Sequence, residues 1–266
     1  MTETVTSLQN SAVKLAAALQ QKKRREESGL FVVEGVRLCE ELLASGWEIE
    51  FGLFTESAAS QERAAQLIQE AGRRCRMTQV SEAVLAKAAE TEQPQGVLFA
   101  ARQVVVPINQ LLSAENQMFV VVDGVQDPGN LGTILRTADA AGADAVIVTA
   151  GSTDPFSGKA LRASMGSIFH LPLAVGICHA DLLTAFGQAK VRLFATALEA
   201  ASCYLEADFR GSLAVVFGNE GKGVSTELLA HADRNLFIPI YGQAESLNVA
   251  AAAAVILYEA ARQRRG

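Results

Sequence analysis

Short apolar runs alternate with amphipathic stretches along most of the chain. In the second half, the apolar runs at residues 118–123, 145–150 and 213–219 are almost uninterrupted, which is typical of strands in a parallel sheet that is covered on both faces. Amphipathic segments at 130–141 and 180–189 lie between such runs and are predicted to be helices. This alternation predicts an α/β fold built on a parallel sheet.

The first hundred residues repeat the alternation on a smaller scale. Residues 30–35 are predicted to be a strand and Val36–Ser45 a helix, and further short strands and helices follow. We therefore predict a small α/β domain over residues 1–105 and a second domain over 118–266. Residues 106–117 show no clear period and are predicted to be the linker.

The C-terminal stretch 234–258 combines three kinds of segment. Residues 234–240 are predicted to be a strand, a polar loop follows, and the alanine-rich run from Val249 is predicted to be a helix covered on most sides. Ser246 has a side chain suited to the N-cap of that helix. Since helix N-termini bind anions and polar ligand groups, this stretch is predicted to form the floor of a binding site.

Composition narrows the class of protein. A net charge of −6 argues against a generally basic surface for nucleic acid, although it leaves room for a local patch. No apolar run reaches the ~18 residues that a membrane-spanning helix needs, and MTETVTSLQN has no signal-peptide pattern. The four scattered cysteines predict neither a metal site nor a disulfide framework and favour a reducing, cytoplasmic location. The three histidines form no spacing pattern, so surface or packing roles are predicted for them.

One run of cations interrupts the acidic background. It consists of Lys22, Lys23, Arg24 and Arg25, within a segment that we predict to be a charged connector. Such a run is either a solvated loop or a patch that contacts RNA phosphates, because clustered cations displace condensed counterions from a polyanion. Composition alone leaves both interpretations open.

Polar, glycine-containing loops follow three of the predicted strands. The loop after residue 123 contains Asn130 and leads into a helix that carries Arg136; the sequence Gly218–Gly223 is glycine-rich; and the third loop lies in the C-terminal stretch. The glycine-rich loop has neither the spacing of a Walker A loop nor that of a dinucleotide-binding loop. Each loop alone could be a structural turn, but loops at the carboxyl ends of parallel strands are where such sheets bind ligands.

These loops resemble the three ordered motifs of the SpoU/TrmH-type RNA ribose methyltransferases, which belong to the SPOUT superfamily. The matching residues are Asn130-x-Gly132-x-x-x-Arg136, then Gly218-Asn219-Glu220-Gly221, then Ile238-Pro239-Ile240 with Ser246-Leu247-Asn248-Val249. The first domain resembles the family's ribosomal-protein-like RNA-binding domain in the phrases GLFVVEGVRL and QPQGVLF. Ala250 and Ile240 depart from the commonest family residues, serine and methionine.

The resemblance implies methyl transfer from S-adenosylmethionine to a ribose 2′-hydroxyl of RNA, with 23S ribosomal RNA as the expected substrate and no metal. It also implies a deep trefoil knot in the C-terminal domain, and a homodimer in which the site is completed near the subunit interface. Within the same family, a transfer-RNA ribose methyltransferase is an alternative, as is a non-catalytic RNA-binding module. A nucleotide-dependent enzyme that uses the glycine-rich loop for phosphate is a further alternative.

The resemblance also assigns roles to residues. The expected catalytic residues are Arg136, Asn130, Glu220, Ser246 and Asn248, and the expected donor-binding residues are Phe217, Gly218, Asn219, Gly221, Ile238, Ile240 and Leu247. Because a guanidinium stays protonated in proteins, we expect Arg136 to bind the adjacent phosphate and stabilise the developing alkoxide rather than act as a base. Glu220 is expected to orient Arg136 or the target nucleotide, and Ser246 is either a helix cap or a substrate contact.

Overall fold

The computed structural model describes residues 4–112, 114–197 and 202–265. The strands are β1 (Leu30–Glu34), β2 (Ile49–Phe54), β3 (Arg76–Gln79), β4 (Val97–Arg102), β5 (Met118–Asp123), β6 (Ala145–Thr149), β7 (Leu173–Ile177), β8 (Arg192–Thr196), β9 (Ser202–Cys203), β10 (Leu213–Gly218) and β11 (Arg234–Phe237). The helices are α1 (Ser11–Ala18), α2 (Lys22–Ser28), α3 (Val36–Ser45), α4 (Glu56–Ala59), α5 (Glu62–Ala71), α6 (Glu82–Ala88), α7 (Ile108–Leu111), α8 (Pro128–Ala141), α9 (Gly158–Ser164), α10 (His179–Ala189), α11 (Thr226–His231) and α12 (Val249–Arg265).

The chain divides into two compact units. The first comprises the chain up to Val104 together with Phe156–Phe169, and the second comprises Val105–Pro155 and the chain from His170 onwards. In the first unit, the four-stranded sheet has the order β1-β4-β2-β3, with β4 antiparallel to both of its neighbours and β2 parallel to β3. Apolar side chains of α1 and α6, such as Val13 and Leu85, are buried against this sheet.

Residues 156–169 belong to the first unit, although the sequence places them in the second predicted domain. Their aromatic side chains explain this difference. Phe156 lies 5.1 Å from Phe31 between ring centroids, and Phe169 lies 5.4 Å from Trp47 in an edge-to-face arrangement. Such pairs add to the burial of aromatic surface, and they join residues more than a hundred positions apart, which no local pattern reveals.

The segment 106–117, which was predicted to be a linker, packs as part of the second unit. It contains the short helix α7, whose Ile108 and Leu111 are buried in the hydrophobic core of the second unit. The amide of Val106 also donates a hydrogen bond to the carbonyl of Leu173. The second unit therefore begins with this segment rather than at residue 118.

The second unit contains the predicted parallel sheet. Its seven strands have the order β7-β6-β5-β10-β8-β11-β9, and all pairs of neighbouring strands are parallel. The prediction of an α/β fold with a parallel sheet is thus confirmed. The chain order changes direction where β5 lies beside β10, and crevices at such switch points are the usual ligand sites of parallel sheets. The deep trefoil knot implied by the resemblance stays a prediction.

The C-terminal helix α12 differs from its predicted form in its N-cap. Its N-terminus is capped by Asn248, whose side-chain oxygen accepts from the amide of Ala250 at 2.9 Å, and not by Ser246. As predicted, most positions of the helix are buried or half-buried, including Ala253 and Leu257, but Ala251 and Tyr258 are exposed within this chain. None of the helices in the described ranges is long and apolar enough to cross a membrane.

Candidate active site

The candidate site lies at the carboxyl ends of β5 and β10. These two strands are paired in register, so that Gly218 at the end of β10 lies beside Asp123 at the end of β5. The loop after β5 leads into α8, which begins with Pro128 and is capped by Asp127, whose carboxylate accepts from the amide of Asn130 at 3.0 Å. Proline at the first helical position and an aspartate cap fix the start of this helix. Asn130 is thereby held in its first turn.

Side-chain hydrogen bonds join the three motif loops. The amide group of Asn130 donates to Glu220 Oε1 at 2.9 Å, and that of Asn248 donates to Asn130 Oδ1 at 3.0 Å. Asn248 contributes at the same time to the cap of α12. The predicted residues Asn130, Glu220 and Asn248 are therefore brought together, although 90 and 118 positions separate Asn130 from the other two.

Glu220 is held by more than this one contact. Its carboxylate also accepts from the backbone amides of Gln126 and Asp127, each at 3.1 Å. Burial raises the pKa of Glu220, but the hydrogen bonds from Asn130 and from these backbone amides outweigh that effect, so the pKa lies below its ordinary value of 4.5. Glu220 is thus an ionised acceptor at neutral pH that fixes the loop before α8. It does not orient Arg136 in this structure, contrary to one of the predicted roles.

The glycine-rich loop is shaped by Asn219. Its side-chain oxygen accepts from the amides of Gly221 and Lys222, each at 2.9 Å, and its amide group donates to the carbonyl of Gly124 at 2.8 Å. The backbone amides that a phosphate group would need are therefore already bonded to a side chain. This arrangement argues against the nucleotide-phosphate interpretation of the loop.

Gly218 is required by packing as well as by any role in donor binding. A Cβ atom at this position would lie 2.2 Å from both the carbonyl carbon of Gly223 and the amide nitrogen of Val224. No side chain can be accommodated there unless the backbone of the loop moves. Loss of donor binding in a Gly218 variant would therefore report displacement of the loop as well as any lost contact.

A Gly218→Ala substitution is expected to lower the free energy of unfolding by about 2 kcal/mol, because the added methyl group overlaps backbone atoms. Equilibrium unfolding in urea measures this change. Gly187→Ala on α10 is the matched control, since a Cβ at Gly187 meets no atom within 4 Å. Equal stability of Gly218→Ala and the wild type would contradict the close packing of the loop.

The third motif loop presents unpaired backbone groups. Within the described ranges, residues 238–247 form no hydrogen bond with any other residue. Ile238 and Ile240 are nonetheless half-buried, while Leu247 is exposed. The backbone amides and carbonyls of these residues have no partner in the described part of the chain, so they are available to a ligand that is bound through main-chain groups. Of the other predicted donor contacts, Phe217 is fully buried, so only its backbone can face a ligand, and Gly221 is exposed.

Arg136 projects from α8 as an exposed side chain. It forms no hydrogen bond or ion pair with any described residue, so its guanidinium is available for a partner outside this chain. Ser246 is also exposed and forms no hydrogen bond in the described part of the chain. Because Asn248 caps α12, the helix-cap alternative for Ser246 is wrong, and substrate contact is the alternative that remains.

The run of cations at 22–25 forms part of α2 and is not a connector. Arg25 is only 5% exposed and donates to the carbonyls of Leu19 and Gln20, so it is not part of an accessible patch. Lys22, Lys23 and Arg24 are exposed and form ion pairs with glutamates one turn further along the helix. These pairs partly neutralise the patch, which is therefore smaller than the sequence suggests.

A second polar cluster near the site has no motif in the sequence that would reveal it. It contains Asp123, His179 and Glu227, with His179 Nε2 2.7 Å from Asp123 Oδ1 and His179 Nδ1 3.2 Å from Glu227 Oε2. The only local signal is an aspartate at the carboxyl end of a buried strand. Asp123 lies 56 positions before His179 in the sequence, and Glu227 lies 48 positions after it. No group of three or more potential ligands in the described ranges is arranged to hold a metal ion.

Comparison with known proteins agrees with this geometry. The profile of the SpoU rRNA Methylase family matches residues 117–258, which include all three motif loops. The profile of the MRM3-like substrate binding domain matches residues 10–99. The two profiles together account for most of the chain.

Individual relatives are similar over nearly their full length. The 23S rRNA (guanosine(2553)-2′-O)-methyltransferase RlmP of Bacillus subtilis is 40% identical, covering 96% of this chain and 97% of the relative. The 23S rRNA (uridine(2479)-2′-O)-methyltransferase of Streptomyces viridochromogenes is 30% identical, covering 93% and 88%. The crystal structure of an AdoMet-bound rRNA methyltransferase from Sinorhizobium meliloti superimposes with a TM-score of 0.89 at 36% identity, covering 98% of each chain. The chain belongs to the SpoU rRNA methylase family.

Proposed function

We propose that this protein transfers a methyl group from S-adenosylmethionine to a ribose 2′-hydroxyl of 23S ribosomal RNA. The observation that carries the proposal is the set of hydrogen bonds from Asn130 to Glu220 and from Asn248 to Asn130, which joins the three motif loops at one edge of the sheet. Relatives similar over nearly the whole chain are named as enzymes of this reaction on 23S ribosomal RNA.

The donor fits the loops that follow β10 and β11. S-adenosylmethionine supplies a methyl group that is already activated on a sulfonium centre. The backbone of Ile238, Ile240 and Leu247 has unpaired donors and acceptors for it, and Gly218 leaves its strand end without a side chain. The AdoMet-bound relative of similar fold supports this choice of donor.

The residues of this chain have separate tasks in the reaction. Because the methyl group is activated, the protein must mainly align the ribose hydroxyl and neutralise the charge that develops on it. The carbon–oxygen bond forms as the carbon–sulfur bond breaks, S-adenosylhomocysteine leaves, and the hydroxyl proton passes to the adjacent phosphate or to water. Arg136, an exposed guanidinium without a partner in the described part of the chain, binds the adjacent phosphate and stabilises the alkoxide. Asn130 and Asn248 position the ribose, and Glu220 holds Asn130. Ser246 contacts the RNA.

Ribosomal RNA is favoured over transfer RNA as the substrate. The full-length relatives act, by name, on 23S ribosomal RNA, and they differ in the base of the target nucleotide. The substrate-binding unit contributes Lys22, Lys23 and Arg24 as exposed cations for the RNA backbone. A non-catalytic module is not favoured, because the motif side chains Asn130, Arg136, Glu220 and Asn248 are all present. We propose the cytoplasm as the location, because the scattered cysteines of the sequence favour a reducing compartment.

A homodimer is part of the proposal. Two tyrosines of the second unit are strongly exposed within the single chain: Tyr241 is 94% exposed and Tyr258, on α12, is 56% exposed. Small residues such as Ala251 beside Tyr258 on this face of α12 would let a second helix approach closely.

Substitution of Tyr258 by glutamate is expected to convert the dimer into monomers, because a charge would be placed on the apolar face of α12. Multi-angle light scattering should give twice the chain mass of 28.2 kDa for the wild type and the single mass for the variant. Val105→Glu, at a side chain that is 51% exposed, is the control and should leave the mass unchanged. A monomeric wild type would contradict the proposed dimer.

The proposed function is tested with purified protein. Calorimetry should detect binding of S-adenosylmethionine, and incubation with the labelled donor should transfer one methyl group to deproteinised 23S ribosomal RNA. Hydrolysis of the product should yield a 2′-O-methylated nucleoside. Transfer to a base, or transfer to transfer RNA alone, would refute the proposal.

A further inference from the structure

Asp123 connects the sheet with the glycine-rich loop. It is the last residue of β5 and is only 4% exposed. Its Oδ1 accepts from the hydroxyl of Thr149 at 3.0 Å and from His179 Nε2 at 2.7 Å, and its Oδ2 accepts from the amide of Ser225 at 2.8 Å. A buried carboxylate with three partners fixes the groups that donate to it.

The contact with Ser225 determines where the glycine-rich loop ends. Ser225 follows Val224, which is buried, and the backbone at Gly223 and Val224 lies directly against Gly218. If the amide of Ser225 left Asp123, no other described residue would accept from it. The segment would then be held beside Gly218 through the two backbone hydrogen bonds between Asn219 and Gly223, each of 2.9 Å. Asp123 therefore holds the end of the loop at Ser225, just beyond the Asn219–Gly223 pair.

His179 supports Asp123 from the other side. It is the first residue of α10 and lies between two carboxylates, with Nε2 facing Asp123 and Nδ1 facing Glu227 of α11. These are the charged groups that face its ring among the described residues. His231, also on α11, instead bonds to the carbonyl of Glu227 at 2.8 Å. The neighbouring Cys178 thiol accepts from the amide of Asp181, and α7, which also packs against α10, carries no titratable side chain.

We infer that Asp123 and His179 are positioning residues that keep residues 223–225 in the form that binds the methyl donor, and that loss of the proton from His179 loosens this hold. The inference rests on the proposed function, since it assigns the donor to the glycine-rich loop. It adds a pH-dependent control of donor affinity that involves neither the motif side chains nor the RNA.

The direction of the pH effect follows from the cluster. Burial lowers the pKa of His179, but the hydrogen bonds and charges of Asp123 and Glu227 outweigh burial and raise the pKa above its ordinary value of 6.5. A raised pKa in the folded protein means that the stabilisation of the folded cluster by protonated His179 is complete below 6.5 and is lost as the pH rises through the raised value. Donor affinity is expected to follow in the same direction, because the cluster holds the amide of Ser225 at the end of the glycine-rich loop. Neutral His179 can still donate from Nε2 to Asp123, but its Nδ1 lone pair then faces the carboxylate of Glu227.

Asp123 remains charged over the whole of this range. Burial raises its pKa, but the hydrogen bonds from Ser225, His179 and Thr149 outweigh burial and place the pKa below its ordinary value of 3.8. Its own contribution is present above 3.8 and is lost only as the pH falls through the lowered value. As the pH rises from 6.5 through the raised pKa of His179, this histidine is consequently the member of the cluster whose charge changes.

The test compares donor affinity in the wild type and in His179→Gln at several pH values between 6 and 9. Calorimetry should show about fivefold weaker binding of S-adenosylmethionine by His179→Gln at pH 6, at the low end of typical coupling energies because the histidine is partly exposed. The difference between the two affinities should shrink as the pH rises through the raised pKa of His179, and only the part that comes from the neutral Nε2–Asp123 hydrogen bond should remain. The measured quantity is the difference in affinity between wild type and variant. The α-amino group of the donor itself titrates near pH ~8, and this titration affects both proteins equally.

Further variants separate positioning from a general loss of structure. His170→Gln removes a second histidine that is paired with a carboxylate, Asp139, at 2.9 Å, and should reproduce the wild-type pH profile. Glu227→Gln should shift the loss of affinity to lower pH, because one of the two charges that favour the protonated ring is removed. In both His179→Gln and Glu227→Gln, turnover at saturating donor should stay within about twofold of the wild type, since only donor affinity is coupled to the cluster.

The outcomes are distinct from those for the proposed function. If the wild type does not bind S-adenosylmethionine at any pH, the proposed function fails and the inference fails with it. If the wild type binds S-adenosylmethionine and His179→Gln binds it with the same affinity at every pH, only the inference is wrong. An unchanged profile in Glu227→Gln would also overturn it, even if His179→Gln were too unstable to measure.

Discussion

Replacing Arg136 with alanine is expected to lower turnover by about 100- to 1000-fold while the affinity for S-adenosylmethionine stays within about twofold of the wild type. Arg136 is exposed and contacts no other motif side chain in the described ranges, so its removal should leave the hydrogen bonds among Asn130, Glu220 and Asn248 intact. The lost interaction is the one with the phosphate and the developing alkoxide, which is strongest in the transition state. Steady-state kinetics with labelled donor, together with calorimetry, measure the two effects separately.

Two further arginine variants sharpen this prediction. Arg136→Lys retains the charge but loses the planar, two-pronged donor geometry of the guanidinium, so turnover should fall between those of the wild type and Arg136→Ala. Arg210→Ala removes an exposed arginine elsewhere in the second unit and should behave as the wild type. Wild-type turnover in Arg136→Lys would refute a requirement for the guanidinium, and wild-type turnover in Arg136→Ala would refute its catalytic role.

Replacing Glu220 with alanine is expected to lower kcat/KM by about 100-fold, because three donors lose their acceptor at once. They are the backbone amides of Gln126 and Asp127 and the side-chain amide of Asn130. The loop before α8 and the ribose-positioning Asn130 should both lose their fixed geometry. Kinetics at varied RNA concentration measure the change, and Glu115→Ala, at an exposed glutamate of the second unit, is the control.

Glu220→Gln distinguishes positioning from acid–base chemistry. The pKa of Glu220 is below 4.5 in the folded protein, so its stabilisation is present above that value and is lost only as the pH falls through the lowered pKa. Glutamine keeps one acceptor oxygen, and we therefore expect a loss much smaller than that of the alanine variant, with an unchanged pH profile above pH 6. A loss in Glu220→Gln as large as in Glu220→Ala would contradict a purely positioning role.

The local pattern of the sequence predicted much of the fold because most of the strands are buried on both faces. β5, β6 and β10 are uninterrupted apolar runs and were assigned correctly from that property alone. The C-terminal helix was also identified, but its cap was placed at Ser246 because serine and asparagine are both good cap residues. The choice of Asn248 depends on where the chain enters helical geometry, and the same side chain bonds to Asn130.

The local sequence pattern could not predict features that depend on contacts between residues far apart in the sequence. Phe156 and Phe169 belong to the first unit because their rings pack with Phe31 and Trp47, which residue spacing does not encode. Arg25 belongs to a run of cations in the sequence, but its side chain is buried and bonded to carbonyls five and six positions earlier. His179 had no sequence signal, because its partners Asp123 and Glu227 come from other elements of the fold.

The order of the motifs predicted which residues form the site. It did not predict the hydrogen bonds that join these residues. Asn130, Glu220 and Asn248 were expected to act at one place, and the structure joins them through two side-chain hydrogen bonds. Gly218 was predicted only as a donor contact, whereas its absent side chain is also required by the backbone at Gly223 and Val224. The role of Glu220 as the holder of Asn130, rather than of Arg136, became apparent only from the three-dimensional arrangement.

The central claim, ribose methylation of 23S ribosomal RNA, is tested most directly by mapping 2′-O-methyl groups across total RNA from cells with and without the gene. We expect methylation to disappear at one position of 23S ribosomal RNA, to return when the wild-type gene is restored, and not to return with the Arg136→Ala gene. An unchanged 23S map, with a loss confined to transfer RNA, would contradict the claim, as would full recovery with Arg136→Ala.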